Sequence, residues 1–362
     1  MLLDAVFSQF ITGSAFDSYT TLNYGHINDT YLVKTENGTQ FVLQRINNNV
    51  FKEAEMLIKN KVQVSLHIQQ KLANFSKSYI YQHVLSFVKT KSGNYYYVDT
   101  ENCFWNLSYY IEESITYLKV PNSEIAYQAG LATADFLSMT ADLSLNSIYT
   151  ILPDFHSIDA RYKQFLSALN IASSDKKSEA SSLINFIYKQ QSNMRILDFA
   201  LANKEVPLRL THNDTKISNI LFDKKGMAIC LIDTDTVMPG ILHYDYADAI
   251  RTICNTADED EADLSKVKFD LGYFKSYTLG FSQKIKENCT LEEVNLLPKS
   301  LQVLPFIMGL RFLTDYLNDD IYYKTKYSKH NFDRAANQFT LVKEIQNNFA
   351  EIKAYITEVY SS

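Results

Sequence analysis

The sequence predicts an α+β fold with two lobes: an N-terminal antiparallel sheet with one helix, and a larger, mainly helical C-terminal lobe. Three observations support this prediction. Short β-rich runs separated by turn residues fill most of the segment 18–111, and Asn37-Gly38 between two of them is a strong hairpin signal. Apolar residues at helical spacing indicate a single helix at residues 51–73. Helical patterns prevail after Pro121.

The N-terminal lobe is predicted to follow the order β-β-β-α-β-β-β. Its strands fall at residues 18–23, 30–35, 40–46, 84–90, 95–98 and 104–111. The segment between Glu112 and Pro121 is short, so it is expected to act as a hinge between the lobes. We therefore place the two domains at residues 1–112 and 113–362.

The C-terminal lobe is predicted to be helical around one compact group of strands. The helices fall at residues 122–137, 159–169, 178–201, 245–254, 264–279, 291–297, 301–317 and 333–357. The strands fall at residues 207–210, 220–222 and 228–232. Because these strands are short and apolar, they are suited to hold polar residues of the loops between them in fixed positions.

The overall composition is that of a soluble globular protein. The chain has 362 residues and a formal net charge of −6, and hydrophobic residues make up 46%. A mildly acidic chain has no general attraction for nucleic acids or anionic membranes, so we expect neither as a partner. The four cysteines are scattered without a CxxC pair, which favours reduced thiols and a cytoplasmic location. Nothing in the sequence indicates an obligate interface, so we expect a monomer.

Three oxygen-bearing side chains lie next to the predicted strands of the C-terminal lobe. Asp214 and Asn219 share the loop before the strand 220–222, and Asp233 directly follows the strand 228–232. Taken singly, each could be an ordinary turn or capping residue. Phosphoryl transfer needs a group that orients and deprotonates the attacking hydroxyl, together with hard oxygen ligands for Mg²⁺. The three residues together therefore indicate a Mg²⁺-dependent phosphotransferase.

The spacing of these residues resembles that of a known superfamily. The segment Thr211-His212-Asn213-Asp214 is followed by Asn219 and then by Ile232-Asp233. This pattern is similar to that of the aminoglycoside phosphotransferases and choline kinases, whose fold resembles that of protein kinases. The resemblance implies a bilobal protein-kinase-like fold, with Asp214 as the catalytic base and Asn219 and Asp233 as ligands of Mg²⁺.

A closer resemblance extends over nearly the whole chain. It is carried by the segments 25–33, 211–219, 232–240, 263–267, 309–317 and 320–323. In this order they are similar to the N-acetylhexosamine 1-kinases, anomeric sugar kinases of the same superfamily. The resemblance implies transfer of phosphate from ATP to the C1 hydroxyl of N-acetylglucosamine or N-acetylgalactosamine, with Mg²⁺ as the metal.

Four further residues are implied by this resemblance to bind the sugar: His26, Thr236, Arg311 and Tyr322. A neutral sugar needs hydrogen-bonding groups around its hydroxyls and apolar surface under its ring, and these side chains supply such a mixture. For Arg311 the sequence also allows a structural ion pair with Asp315, four residues further along a predicted helix.

The expected ATP contacts lie mostly in the N-terminal lobe. No Walker A pattern, G-x-x-x-x-G-K-[ST], occurs, which excludes a P-loop kinase as far as a motif can. Protein-kinase-like folds place a lysine on the third strand against the phosphates, but this chain has Gln44 there, with Arg45 beside it. Asn28 at the end of the first loop, and the backbone of Tyr110 and Ile111 in the hinge, complete the expected contacts.

Two other functions remain compatible with the sequence. The same fold could phosphorylate another small alcohol, such as choline, ethanolamine, homoserine, an aminoglycoside or a different sugar. Alternatively, the missing strand lysine could indicate a pseudokinase that holds a nucleotide without transferring its phosphate. The complete set of Asp214, Asn219 and Asp233 argues against this second alternative.

Overall fold

The N-terminal part of the chain folds as an antiparallel sheet packed against helices. The structure is a computed structural model that describes residues 3–22 and 27–361. Its first elements are α1 (Leu3–Phe7), β1 (Phe16–Thr21), β2 (Asp29–Thr35), β3 (Gln40–Arg45), α2 (Ala54–Lys71), α3 (Lys77–His83), β4 (Tyr97–Val98) and β5 (Phe104–Tyr109). These strands lie in the order β1-β2-β3-β5-β4, and each neighbouring pair is antiparallel.

The register of this sheet follows from a tight turn and from alternating burial. Gly38 closes the predicted hairpin between β2 and β3 at a φ of 86°, a left-handed conformation that suits glycine. Val33 then pairs with Phe41, so both point to the face that packs on α1 together with Leu43. Because successive side chains alternate, Gln44 lies on the opposite face of β3, toward α2.

The prediction of a strand at residues 84–90 is wrong. The segment alternates in burial like a strand, with Val84, Ser86 and Val88 buried. It meets β5 only at separate points, one of which is a single bridge from Phe87 to Ser108. A period of two in burial is therefore not sufficient for a strand, which also needs continuous pairing along the backbone.

The C-terminal part of the chain is mainly helical. Its helices are α4 (Ser123–Met139), α5 (Ile158–Ile171), α6 (Ser174–Glu179), α7 (Ser181–Met194), α8 (Ile196–Ala202), α9 (Leu242–Ile253), α10 (Leu271–Ile285), α11 (Leu291–Leu317), α12 (His330–Asn347) and α13 (Phe349–Ser361). The strands between α8 and α9 are β6 (Arg209–Thr211), β7 (Ile220–Phe222), β8 (Ala228–Leu231) and β9 (Met238–Gly240). The α+β fold class is confirmed, although the predicted helix at 178–201 is divided among three shorter helices.

The longest helix, α11, belongs to the core of the C-terminal part. The sequence predicts two helices here, but α11 continues without a break through Pro298 and Pro305. Each proline removes one backbone hydrogen bond, and burial of apolar side chains such as Leu304 and Phe306 offsets that loss. The helix is long and apolar enough to cross a membrane, but 78% of its most apolar stretch is buried inside the protein, as in a core helix.

Two compact units divide the chain. The first consists of Met1–Ile115, Met139–Leu152 and Leu221–Pro239, and the second of Thr116–Ser138, Pro153–Ile220 and Gly240–Ser362. The first segment of the first unit ends close to the predicted boundary at residue 112. The unit also takes in β8 and most of β7, because Phe222 forms a bridge with Ile115.

Candidate functional site

The loop that carries Asp214 is fixed by a buried residue of α9. Asp245 accepts hydrogen bonds from the backbone N–H groups of His212 and Asn213, at 2.8 and 2.7 Å. Thr215 adds a bond of 2.6 Å from its hydroxyl to the Asp245 carbonyl. Burial raises the pKa of Asp245 to about 7, although the two backbone N–H groups favour its ionised form. The loop is therefore held rigidly on either side of Asn213, which adopts a left-handed φ of 65°.

The Asp214 carboxylate is partly exposed and closely paired with a cation. Its side chain is 28% exposed, and Lys216 Nζ lies 2.5 Å from its Oδ2. Burial alone would raise the pKa of Asp214, but the charge and hydrogen bond of Lys216 outweigh it and hold this pKa below its ordinary value. The carboxylate is therefore ionised near neutral pH and able to orient a hydroxyl and accept its proton.

Asn219 is positioned by Asp214 itself. Its Nδ2 donates to the backbone carbonyl and to Oδ2 of Asp214, at 2.9 and 3.0 Å. These bonds use both N–H donors of the amide. No described residue donates to Asn219 Oδ1, so this oxygen fits the role of a hard metal ligand. The structure thus brings together two of the residues predicted from the motif.

A buried histidine contacts the same loop from another direction. His156 Nε2 lies 3.2 Å from the carbonyl oxygen of Asn213, and because a carbonyl can only accept, the ring must donate from Nε2. Burial and the positive charges of Arg311 and Arg161 lower the pKa of His156 to about 3. The imidazole is therefore neutral, and it supports the loop without adding charge next to Asp214.

Two arginines, Arg161 and Arg311, lie near this histidine. The Arg311 guanidinium stands 4.9 Å from the centre of the Phe155 ring and 5.6 Å from that of Tyr323. Arg161 donates to the Phe155 carbonyl at 2.8 and 3.1 Å. Burial and the charge of Arg311 lower the pKa of Arg161 to about 10. Within the described residues neither arginine forms a salt bridge, so N–H donors of both remain available to a ligand.

The alternative ion pair between Arg311 and Asp315 is not formed. Asp315 instead accepts hydrogen bonds from the backbone N–H groups of Tyr322 and Tyr323, at 2.8 and 2.9 Å, and from Asn331. The Tyr322 ring is half-exposed and meets the Tyr323 ring edge-on, with 4.7 Å between centroids. The buried Tyr323 hydroxyl has no hydrogen-bond partner in the described part of the chain. The second unit therefore places Arg311 and Tyr322 in one region with unused donors.

In the first unit, Asp233 and Thr236 share a tight turn directly after β8. Asp233 adopts a left-handed φ of 61°, and the residues Thr234–Thr236 then form one 3₁₀ turn. A non-glycine residue in this conformation is uncommon, and such residues concentrate at functional sites. Thr236 is buried, at 7% exposure.

Gln44 and Asn28 both belong to a cluster around Asp235, which we call the Lys61 cluster (Asn28, Gln44, Lys61 and Asp235). Lys61 Nζ donates to Gln44 Oε1 at 2.7 Å and forms a buried ion pair with Asp235 Oδ1. Gln44 Nε2 lies 3.3 Å from Asp235 Oδ2, which also accepts from Asn28 Nδ2. Gln44 is therefore bonded directly to Lys61, and Asn28 is linked to Lys61 through Asp235. Lys61 itself is not among the residues predicted from the sequence.

Arg45 points to the opposite face of β3. Its guanidinium lies 3.9 Å from Asp29 and 3.5 Å from Glu101. It also donates to Cys103 Sγ at 2.9 Å and lies 5.9 Å from the centre of the Trp105 ring. The structure therefore does not bring Arg45 into the Lys61 cluster.

The predicted hinge residues follow β5. The Tyr110 N–H donates to the Gln40 carbonyl at 3.1 Å, and the Ile111 carbonyl accepts from Ser114 Oγ at 2.7 Å. No residue in the described ranges accepts a hydrogen bond from the Ile111 N–H. This backbone donor is thus available to a nucleobase.

One residue predicted to bind the sugar lies outside the described ranges, and three residues of the contacts above were not predicted from the sequence. His26 lies outside the described residues, so its predicted role stays a prediction. Lys216 lies within the motif, two residues after Asp214, and its charge was a usable signal. Lys61 and Arg161 had no local signal, because their roles depend on contacts with residues far away in the sequence.

The sequence of residues 18–268, more than half of the chain, matches the phosphotransferase enzyme family. The fold is similar to that of an aminoglycoside phosphotransferase from Alicyclobacillus acidocaldarius subsp. acidocaldarius DSM 446, with a TM-score of 0.66, 13% identity, and coverage of 99% of this chain and 97% of that one.

Two further solved structures share the fold. An amicoumacin kinase, solved with AMP-PNP, Ca²⁺ and Ami, has a TM-score of 0.58 at 14% identity, with coverage of 94% of this chain and 90% of that one. A microcompartment-associated aminopropanol kinase has a TM-score of 0.60 at 14% identity, with coverage of 93% of both chains. At these identities the likeness concerns the fold alone. The family match shows that this chain belongs to the phosphotransferase enzyme family.

Proposed function

We propose that the chain is an ATP- and Mg²⁺-dependent kinase that phosphorylates the C1 hydroxyl of N-acetylhexosamines, N-acetylglucosamine or N-acetylgalactosamine. The observation that carries this proposal is the region of the second unit that contains Arg161 and Arg311, neither of which has a carboxylate partner among the described residues. The charges of both arginines and of Asp214 all affect the pKa of His156, so this region lies within electrostatic range of the Asp214 loop. A substrate bound there can present a hydroxyl to Asp214.

The charge of this region favours a neutral sugar over an amine. Choline, ethanolamine and aminoglycosides carry positive charge, and proteins bind such groups with acidic or aromatic cages. Two guanidinium groups repel a cation, whereas their N–H donors suit sugar hydroxyls and an acetamido carbonyl. The rings of Phe155, Tyr322 and Tyr323 supply apolar surface for the sugar ring.

The chemistry follows from the state of Asp214. Its ionised carboxylate accepts a hydrogen bond from the C1 hydroxyl and takes the proton as the oxygen attacks the γ-phosphorus. The new bond joins the C1 oxygen to phosphorus, and the bond to the leaving ADP oxygen breaks. Lys216 keeps Asp214 ionised, and Asp245 and His156 keep the loop in place.

Asn219 and Asp233 are the residues that we propose to hold Mg²⁺. The Asn219 Oδ1 has no donor among the described residues, and Asp233 supplies a carboxylate at the left-handed turn after β8. Bound there, Mg²⁺ would neutralise charge on the phosphate groups. The described residues contain no group of three or more His, Cys, Asp or Glu able to hold a metal ion, which agrees with a site that takes its remaining ligands from phosphate and water.

A substrate panel tests the proposal directly. Purified protein with ATP and Mg²⁺ is given N-acetylglucosamine, N-acetylgalactosamine, glucose, choline, ethanolamine and an aminoglycoside, and ADP release is measured. The expected result is turnover of the N-acetylhexosamines, with ³¹P and ¹H NMR showing phosphate on the anomeric oxygen. Turnover of an amine without turnover of either N-acetylhexosamine, or phosphate on another oxygen, would overturn it.

A further inference from the structure

The third strand of the sheet lacks the cation that phosphoryl transfer requires. Protein kinases pair a lysine of this strand with a glutamate of the following helix, and the lysine contacts the nucleotide phosphates. Here β3 has Gln44 on the face toward α2, and Gln44 carries no charge. Arg45 is turned to the other face and is occupied by Asp29, Glu101 and Cys103.

The helix that follows β3 supplies a lysine to the same place. Lys61 on α2 is 4% exposed, and its ammonium group donates to Gln44 and to Asp235. Among the described residues of the first unit, Lys61 is the only buried lysine or arginine. Two other lysines of α2 form ion pairs at the surface: Lys59 pairs with Glu55, and Lys71 pairs with Asp142.

The contacts of Lys61 leave room for one more acceptor. An ammonium group has three N–H donors, and Gln44 and Asp235 take two of them. No described residue accepts a third hydrogen bond from this ammonium group, whose Nζ lies 5.8 Å from the centre of the Phe87 ring. Gln44 and Asn28 are only partly buried, so the Lys61 cluster is accessible from their side.

Asp235 connects this lysine to the segment that carries a proposed metal ligand. It stands two residues after Asp233, within the same 3₁₀ turn that follows β8. One short segment therefore carries both a proposed metal ligand and the carboxylate that orients Lys61. In protein kinases, too, a carboxylate holds the phosphate-binding lysine in position.

We propose that Lys61 is the phosphate-binding cation of this enzyme, supplied by α2 in place of β3, with Asp235 as its anchoring carboxylate and Gln44 as its second support. The inference rests on the proposed function only in that the chain binds ATP; it does not depend on which acceptor is phosphorylated. Lys61 contacts phosphate oxygens of the nucleotide, and the adenosine part is bound elsewhere in the first unit.

A purely structural ion pair is the alternative, and nucleotide binding separates the two. Removing Lys61 alone leaves Asp235 buried and unpaired, so the informative variant is Lys61→Met combined with Asp235→Asn, which removes both charges. Affinities for adenosine and for AMP-PNP with Mg²⁺ are measured by calorimetry, without any turnover. Lys59→Met, which removes a surface cation from the same helix, is the matched control.

The expected result is that the double variant binds AMP-PNP about 10- to 100-fold more weakly than wild type, because a charged hydrogen bond is lost. Adenosine affinity should stay the same, and Lys59→Met should match wild type for both ligands. AMP-PNP binding at wild-type strength by the folded double variant would overturn the inference while leaving the proposed function intact. Wild-type protein that binds no AMP-PNP would overturn both.

A transfer of the charge gives a second, independent test. Gln44→Lys combined with Lys61→Gln returns the lysine to β3 and keeps the hydrogen-bonding partners and the net charge. Asp235 remains available to hold the relocated ammonium group. AMP-PNP affinity within a few-fold of wild type would support Lys61 as the functional equivalent of the strand lysine, whereas affinity as low as that of the charge-free variant would contradict it.

Discussion

The loop of residues 211–219 and the Lys61 cluster hold their charged groups in opposite ways. In the loop, Asp214, Lys216 and Asn219 are neighbours in the sequence and bond to one another directly. In the cluster, Lys61 and Asp235 are 174 residues apart, and Asn28 and Asp235 are 207 apart. A local arrangement is visible as a motif, but one assembled from distant segments is visible only once the chain is folded.

The two regions also differ in how far their folding depends on each side chain. The loop residues contact one another through a backbone that is independently fixed by Asp245. In the Lys61 cluster the charges of Lys61 and Asp235 compensate each other, and the backbone contact is a single hydrogen bond of 2.7 Å from the Asn47 N–H to Asn28 Oδ1 among the described residues. Changes in the loop should therefore affect chemistry with little effect on folding, whereas changes in the cluster should affect both.

Asp214→Asn is expected to have the largest effect. The amide cannot accept the hydroxyl proton, so kcat should fall by about 10²- to 10⁴-fold. Because the loop is held by Asp245 and His156, the unfolding midpoint and the AMP-PNP affinity should stay close to wild type. Steady-state kinetics and a urea titration check this, and near-normal turnover by the folded variant would remove Asp214 from the role of base.

Lys61→Met should be the most destabilising single change. It leaves the Asp235 carboxylate buried without its partner, which costs about 3–5 kcal/mol. Urea unfolding measures the loss, and adding Asp235→Asn should recover most of it. The surface control Lys59→Met should leave the urea midpoint close to that of wild type, because exposed ion pairs contribute little to stability. A Lys61→Met protein as stable as wild type would mean that the cluster does not depend on mutual charge compensation.

Arg311→Met tests the proposed binding of the sugar that accepts the phosphate. Loss of a charged donor to the sugar should lower kcat/KM for the N-acetylhexosamine by about 10- to 100-fold. The KM for ATP should hardly change. Leu279→Met, at an exposed position of α10, serves as a control with no expected effect. An equal loss for ATP and sugar would show that Arg311 acts through general packing.

Lys216→Met should have the smallest effect on activity. The loss of its positive charge determines the direction in which the pH profile moves. Lys216 holds the pKa of Asp214 below its ordinary value, so wild-type activity should persist into acidic pH as long as the protein is folded. Without the ammonium, burial raises this pKa, and the acid limb of kcat/KM should move to higher pH. A limb that stays in place or moves to lower pH would contradict the pairing.

The sequence predicts the contact between Asp214 and Asn219 better than it predicts the Lys61 cluster. The spacing of Asp214 and Asn219 is informative because both lie on one short loop before β7, which leaves few places for their side chains. Gln44 alone gives no indication that Lys61, 17 residues later, lies against it. The pairing depends on how α2 packs on the sheet, which no local pattern encodes.

The same limit applies to Arg311 and to several elements of the fold. A helical spacing of four residues predicts a contact with Asp315, but the backbone N–H groups of Tyr322 and Tyr323, in the segment after α11, bind that carboxylate instead. Prolines predict a break in α11, but burial of most of the helix outweighs two lost hydrogen bonds. In each case a tertiary contact overrides a correct local rule.

The left-handed backbone at Asn213 and Asp233 limits which substitutions can be interpreted. Glycine, asparagine and aspartate adopt this conformation at low cost, whereas other residues lose about 1–2 kcal/mol. An alanine scan at Asp233 would therefore mix the loss of an oxygen ligand with backbone strain. Asp233→Asn and Asp233→Gly separate the two, because both keep the backbone and only the second removes the oxygen. At both positions, variants with these three amino acids should therefore be more stable than variants with other side chains.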